Sequence, residues 1–362
     1  MDNVTEGTPG PESHRLEFGG SGREYFRIWI VNLALSLATL GIYSAWAKVR
    51  RMKYFYGNTS LAGHAFDYHG RPIAILKGRL IAILFLVVYL VVRQFAPRLA
   101  IVPLLLLWLA IPWIVTRARM FQLRVTSYRG VHFDFQPDYR GAYVAYLLAP
   151  IATVLSLGLA LPWATRVKYR WLIDNSAYGA TRFTLDIGLK GYIRALLIVA
   201  PVVIVGMIAV GIVGFGAVGM AAKHLGIAPG SQPTQQQTAY MAGLMVILTY
   251  PIMLLLVYAV MGLWRALVLT PTLSATALGQ VRLHCSLPAA RLMWIYISNL
   301  LGIVFTVGLF TPWARVRLAR FVLQCTGYEA PGPVDDFVGT ELVRTPAVAE
   351  EIGDLFDIDF GL

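Results

Sequence analysis

Seven apolar runs dominate the sequence, at 26–47, 80–96, 99–115, 142–163, 192–222, 239–263 and 292–313. Each is long enough to carry an α-helix across a bilayer, which takes about 17–25 apolar residues. Charge is sparse enough to match: 14% of the 362 residues are charged, against about 25% in ordinary soluble domains. Mean hydropathy is +0.63. An outer-membrane barrel alternates polar and apolar residues along each strand, and these runs do not. The expected fold class is an all-α membrane protein, a polytopic helical bundle. Residues 1–23 are polar and rich in Gly, Pro and Ser, with no apolar core, so they do not read as a cleaved signal peptide. The first apolar run is then expected to direct insertion.

The runs are not independent of one another. Aligned on Trp46, Trp163 and Trp313, the sequence carries a glycine five positions earlier (Gly41, Gly158, Gly308) and an alanine one position later (Ala47, Ala164, Ala314). Twenty-eight positions earlier a short alternating stretch ends, "RLEF" at Phe18, "HFDF" at Phe135 and "RLHC" at Cys285. Twelve positions later the first two carry Asn58 and Asn175, where the third has Cys325. One register held three times reads as an internal repeat. These Trp units, at about 15–63, 132–179 and 282–328, alternate with two helix pairs inside a membrane domain at 24–328. Lys77-Gly78 and Lys190-Gly191 correspond in the two pairs. Alternating stretches at 14–18, 59–68, 131–135, 181–185 and 281–285 are expected to be short strands in cytoplasmic loops, able to pair into one small sheet.

Three stretches carry a resemblance. They are "EYFRIWIVNLALSLATLGIYSAWAKVRRMKYFYGNTSLAGHAFDYHGRPIAILKGRL", "LRVTSYRGVHFDF" and "VKYRWLIDNSAYGATRF". With them the chain resembles the YjgN-like family of bacterial inner-membrane proteins over about 15–328. Residues 264–328 match more loosely, with Gln280 where Gly130 suggests a glycine. The resemblance implies a multi-pass protein of the bacterial inner (cytoplasmic) membrane. It brings no catalytic residue, because the family's activity is uncharacterised.

Charge placement bears on topology. Seven spans would put 14 of the 31 Lys and Arg residues outside even in the better orientation, nearly abolishing the positive-inside bias. If each Trp unit is instead a hairpin that enters and returns at its glycine, only Arg93, Arg98 and Lys223 face outside. Both topologies remain open at this point, with the charge favouring hairpins. The two cysteines, Cys285 and Cys325, lie beside basic loops, and no disulfide is expected.

The net charge of +12 does not point to nucleic acid, since the cations cluster at the ends of apolar runs. The partners expected are membrane lipids. Candidate contacts to anionic headgroups are Lys48, Arg50, Arg51, Lys53, Arg117, Arg119, Arg166, Lys168, Arg170, Arg315, Arg317 and Arg320. Asn32 and Asn299, each 14 positions before its tryptophan, are the intramembrane polar candidates. Five histidines (His14, His64, His69, His132, His284) sit in or beside the strands without the spacing of metal ligands, so no metal and no cofactor is expected. No nucleophile elbow, phosphate loop or HExxH is present, and an enzyme is not expected. The expectation is passive handling of lipid or a small solute, with a non-catalytic scaffold that binds anionic headgroups or a cytoplasmic partner as the alternative. Residues 329–362 hold nine acids against Arg344 and form an acidic tail. Within it 346–359 shows an amphipathic pattern that suits docking on the protein's own basic face or a solvated chain.

Overall fold

The computed structural model of the protein describes residues 12–228, 230–332 and 338–341. Its chain forms two compact units. One takes in Met1–Leu189, Thr270–Ser286 and Pro312–Leu362, and the other Lys190–Leu269 and Leu287–Thr311.

The first unit is organised by a sheet of eleven short strands. In chain order they are β1 (Glu12–Arg15), β2 (Glu17–Phe18), β3 (Thr59–Leu61), β4 (His64–Tyr68), β5 (Thr126–Tyr128), β6 (Val131–Phe135), β7 (Ser176–Tyr178), β8 (Thr181–Leu185), β9 (Thr276–Leu278), β10 (Val281–Cys285) and β11 (Thr326–Ala330). Every pairing is antiparallel, and the order is β1-β11-β10-β9-β8-β7-β6-β5-β4-β3-β2. Only Leu16 separates β1 from β2, so the N-terminal strands bring the two ends of the sheet together in a near-closed ring. Such closure leaves few unpaired edge groups.

Two kinds of connection alternate around this ring. One rim carries tight two-residue turns. Ala62-Gly63 and Arg129-Gly130 have positive φ at both residues, as hairpins with right-handed twist require. At Gly179 and Gly279 only the first turn residue is left-handed, which is why Gln280 is accommodated where Arg129-Gly130 needs a glycine. At the other rim the chain leaves as helix and returns beside the strand it left. Phe18 pairs with Thr59, Tyr68 with Thr126, Phe135 with Ser176, Leu185 with Thr276 and Cys285 with Thr326. All five returns end helix and start strand with the same device. The hydroxyls of Thr59, Thr126, Ser176, Thr276 and Thr326 each donate to the carbonyl four residues back. That bond occupies an end carbonyl that the helix leaves without a partner.

Three of these excursions are short helix pairs. The first is α1 (Gly22–Ala38) and α2 (Ser44–Gly57). The second is α5 (Tyr139–Tyr143), a π-helical stretch at Val144–Leu148, α6 (Ala149–Leu155) and α7 (Leu161–Asp174). The third is α10 (Ala289–Phe305) and α11 (Thr311–Gln324). The break falls at Leu40-Gly41, Leu157-Gly158 and Val307-Gly308, with glycine φ of +92°, +93° and +91°. Only glycine adopts that region without strain. The other two excursions are long: α3 (Pro72–Phe95) with α4 (Ile101–Arg124), and α8 (Lys190–His224) with α9 (Gln235–Ser274). These four helices are long and apolar enough to cross a membrane. In the second unit Gly262 lies so close to the backbone of Met293 that an added Cβ would fall 2.8 Å from its Cα.

The all-α expectation is therefore corrected. The protein is mostly helical, with four long apolar helices, but the strands expected as a small sheet in its loops form one continuous near-closed sheet of eleven, so it is not purely all-α. The helical course of the runs at 26–47, 142–163 and 292–313 is in each case broken at the glycine. Strands β5, β7 and β9 are three residues long, too short to show an alternation, and only their neighbours make them strands.

Inside the ring the alternation of strand side chains collects Tyr128, Val131, Tyr178, Tyr328 and Ala330 into a buried cluster that Val338 joins from outside the strands. The tyrosines make a stair. Tyr178 donates its hydroxyl to the carbonyl of Tyr128 (3.0 Å), and Tyr128 donates to that of Leu61 (2.7 Å). Burial is the main reason that Tyr178 is held well above the ordinary phenol range, so it remains a donor.

Candidate functional site

The residues with a readable role cluster at the two rims. At the turn rim the helical turn 338–341 seats Val338 in the ring's interior cluster and buries Glu341 to 1% exposure. Glu341 accepts from the Ala180 N–H (2.7 Å) and from the Thr181 hydroxyl (2.6 Å). Neither Val338 nor Glu341 stands out by pattern, and nothing in the sequence singles them out. The amphipathic stretch 346–359 lies outside the described residues. Glu341→Ala leaves a buried N–H without its acceptor, which costs about 1–3 kcal/mol. The expected result is a lower melting temperature and lost hydrogen-exchange protection at the Ala180 amide. Unchanged protection would mean that Glu341 does not hold the turn.

The histidines lie around the ring without forming a ligand set. His14 stacks on Tyr328, and His64 Nδ1 lies 3.0 Å from the Ala62 carbonyl. His69 Nε2 is 2.9 Å from Ser127 Oγ and 3.7 Å from Asp67 Oδ2. Both contacts use one ring nitrogen, whereas a serine–histidine–aspartate relay needs the two nitrogens separately. The ring of His132 sits 5.4 Å from that of His69. Desolvation first, and then the nearby His69, holds the His132 imidazole below its ordinary pKa. Among the described residues no three His, Cys, Asp or Glu side chains gather into a metal site. A polar cleft of about 250 Å³ opens where the N-terminal strands meet β3, lined by His14, Arg15, Glu17 and Ser60. Cys285 and Cys325 are free thiols.

At the helix rim the basic candidates divide. Several are occupied within the protein: Arg166 donates to the Ile187 carbonyl (2.9 Å), Arg320 to that of Gly20 (2.8 Å) and Arg315 to the Tyr25 hydroxyl (3.1 Å). Arg170 pairs with Asp174 four residues on, at 3.6 Å. Arg50 reaches the Tyr43 hydroxyl at 3.0 Å. Arg117 lies 5.8 Å from the centroid of Trp113, and Lys168 6.0 Å from that of Tyr146. Arg119 is half-buried, and Lys53 and Arg317 are exposed. Lys48 and Arg51 face a third cation, Arg79, whose guanidinium bonds the Ser44 hydroxyl. Ser44 was readable from spacing, since Ser44, Lys48 and Arg51 recur at four and three residues, whereas Arg79 lies on another helix and no spacing singles it out. Asn32 and Asn299 are both buried, in α1 and α10. Asn32 Oδ1 has no hydrogen-bond partner among the described residues.

The second feature of the helix-rim excursions is apolar. The turns of the three short pairs expose Leu40 (95%), Leu157 (95%) and Val307 (91%), with Leu37, Leu155 and Phe305 beside them. Greasy tips on units with basic returning helices make an amphipathic arrangement suited to a membrane interface.

Comparison with known proteins agrees with this geometry. The chain is 26% identical over 365 residues to "Inner membrane protein YjgN" of Salmonella typhimurium, covering 90% of this chain and 91% of that protein. It is 27% identical over 158 residues to the protein of the same name from Escherichia coli O157:H7, covering 43% of this chain and 40% of that one. Escherichia coli K12 has another of that name, 28% identical over 156 residues, with 43% and 39% covered. No solved structure matches. The homologues and the four spanning-length helices identify an inner-membrane protein. The family model described as "Bacterial protein of unknown function (DUF898)" matches residues 13–355, and the chain belongs to that family.

Proposed function

We propose that the protein is a non-catalytic scaffold of the inner membrane, whose ring lies on the cytoplasmic side and whose three Trp units dip into the cytoplasmic leaflet and hold anionic lipid. The observation that carries this reading is the pairing across each unit. Phe18 with Thr59, Phe135 with Ser176 and Cys285 with Thr326 keep both ends of every unit on one sheet. A unit anchored so cannot have its ends on opposite sides of a bilayer. Its exposed apolar turn and its cations then match the hydrocarbon and headgroup layers in turn. The shared glycine turn supports reading the three units as copies of one element, and the return of both ends of each to one sheet supports a parallel rather than an inverted repeat.

Topology tests this reading. Cysteines placed at Gln235 and at Asn175 are offered a membrane-impermeant maleimide in intact spheroplasts. The expected result is labelling at 235 and none at 175 until the membrane is opened. Labelling at 175 from outside would remove the scaffold reading. A second reading, passive handling of lipid or a small solute, draws on the unmatched Oδ1 of Asn32 inside α1. It requires lipid or solute movement across vesicles containing the purified protein, and Asn32→Leu would abolish it.

A further inference from the structure

One group of cations is brought together across two helices with no carboxylate paired to it among the described residues. Ser44, Lys48 and Arg51 lie on one face of α2. Arg79, in the second turn of α3, reaches over this face to the Ser44 hydroxyl. The two helices are locked at the sheet by the cluster of Val49, Tyr68 and Val125, with Tyr56 and Ile75 packed against it, so the cations cannot swing apart freely. The Lys48 ammonium is held below its ordinary pKa by desolvation first, then by Arg79 and Arg51. No carboxylate pairs with any of the three among the described residues. The sequence offers little choice, since Asp67 is the only acid between Glu24 and Asp134. Asp67 is taken by the Tyr68 N–H and lies beside His69.

Cations brought together in this way repel, and an external anion relieves them. The site has an open side, because Lys48 is exposed. It stands at the N-terminal end of α2, where the helix dipole favours negative charge. It also stands beside a greasy turn, with exposed Leu40 and Ile42 a few residues before Ser44.

We propose that the Ser44–Lys48–Arg51 face of α2, closed over by Arg79, binds the phosphate of one anionic phospholipid, with its acyl chains along the Leu40–Ile42 turn. This rests on the leaflet-embedded reading above and gives it a specific ligand site. Lys48 and Arg79 donate to the phosphate oxygens and Arg51 adds charge, while the Ser44 hydroxyl, which donates to the Gly41 carbonyl, accepts from Arg79 and positions its guanidinium. The apolar turn selects a lipid over a free phosphate.

The test uses the full chain in nanodiscs of phosphatidylcholine with a minor fraction of phosphatidylglycerol, released into native mass spectrometry. The expected result is one tightly retained phosphatidylglycerol on the wild type. Arg79→Gln and Lys48→Gln should each weaken retention at least tenfold, beyond the roughly fivefold that one cation near an anionic surface supplies. Lys77→Gln, the same charge change two residues along α3, should keep the lipid. Arg79→Lys should retain it partly, because a lysine lacks the planar fork of donors. That variant carries the test if Arg79→Gln fails to fold, and thermal melts of every variant identify such a failure. Equal losses in Lys77→Gln and Arg79→Gln would overturn the site and leave a diffuse basic surface, with the leaflet reading intact. Displacement of the lipid by excess inorganic phosphate would overturn the lipid assignment in favour of a soluble phosphate ester. External labelling at residue 175 would instead remove the leaflet reading itself.

Discussion

Phe135→Ala will destabilise the protein by about 3–5 kcal/mol, the usual cost of deleting a fully buried aromatic side chain. Phe135 is the last residue of β6, it is fully buried, and it pairs with Ser176 across the second Trp unit. Its ring meets Trp171 of α7 edge-on at 5.1 Å. Met120 of α4 and Ala142 of α5 complete the cluster. Trp171 is itself fixed, donating its indole N–H to the Asp138 carbonyl (2.8 Å), and Gly141 donates its N–H to Asp138 Oδ1 (3.0 Å). Three helices and a strand therefore converge on one ring with their partners already committed, and the vacated space has little that can collapse into it. Phe135→Leu, which keeps most of the volume, should cost less than about 1.5 kcal/mol. Denaturant unfolding in detergent, followed by tryptophan fluorescence, reads both values. A cost below about 1 kcal/mol for the alanine variant would show that this junction does not hold helices to sheet. The corresponding positions in the other two units are Phe18 and Cys285, both buried.

Lysine at the three turns, Leu40→Lys with Leu157→Lys and Val307→Lys, should leave the fold intact and change where the turns reside. These side chains are almost fully uncovered by protein, so replacing them removes almost no internal contact. In a bilayer the same change is costly, about 2.5–3.5 kcal/mol for a lysine at the centre of the hydrocarbon and less near the headgroups. A nitroxide at residue 159 reports the difference. In the parent it should be accessible to oxygen and shielded from a water-soluble relaxant, and in the triple variant that preference should reverse. Melting temperatures in detergent should agree between the two. A nitroxide that is fully water-accessible in the parent would contradict the embedding of the turns.

Much of this architecture was written in local chemistry. The glycines at 41, 158 and 308 announce the turns because only glycine tolerates their backbone. The "HFDF" type of stretch announces a strand because alternation over four or five residues separates an inner from an outer face. The long excursions are visible as apolar runs because lipid leaves no other option for them. The ring was harder to see. "TSY", "SAY" and "TAL" owe their strand form to pairing with residues that are distant in sequence, as when Leu185 meets Thr276. The Thr or Ser hydroxyl that starts each of the five return strands was present in the sequence, but its acceptor is a carbonyl, which no side-chain pattern reveals. The basic candidates were found by their place at the ends of apolar runs, which does not separate Arg166 and Arg320, spent on carbonyls, from Lys48 and Arg51, which pair with no carboxylate among the described residues. Glu341 was missed because a buried carboxylate that accepts from a turn amide looks, in one dimension, like any residue of an acidic tail.

The meeting of β1 with β11 has a consequence for biogenesis. Arg15 pairs with Gly327, so the first strand to leave the ribosome waits for the last. At a translation rate of roughly 5–20 residues per second, the roughly 300 intervening residues take on the order of 15–60 s to make. Each helical excursion returns to the strand it left and can zip up in turn. Throughout that interval the growing sheet nevertheless carries two open edges, one at the N-terminal strand and one moving along with synthesis. Open edges invite pairing with other chains. A ribosome that stalls before Thr326 therefore releases an inserted, partly folded protein whose two edges stay open, and neighbouring stalled copies should pair edge to edge within the plane of the membrane.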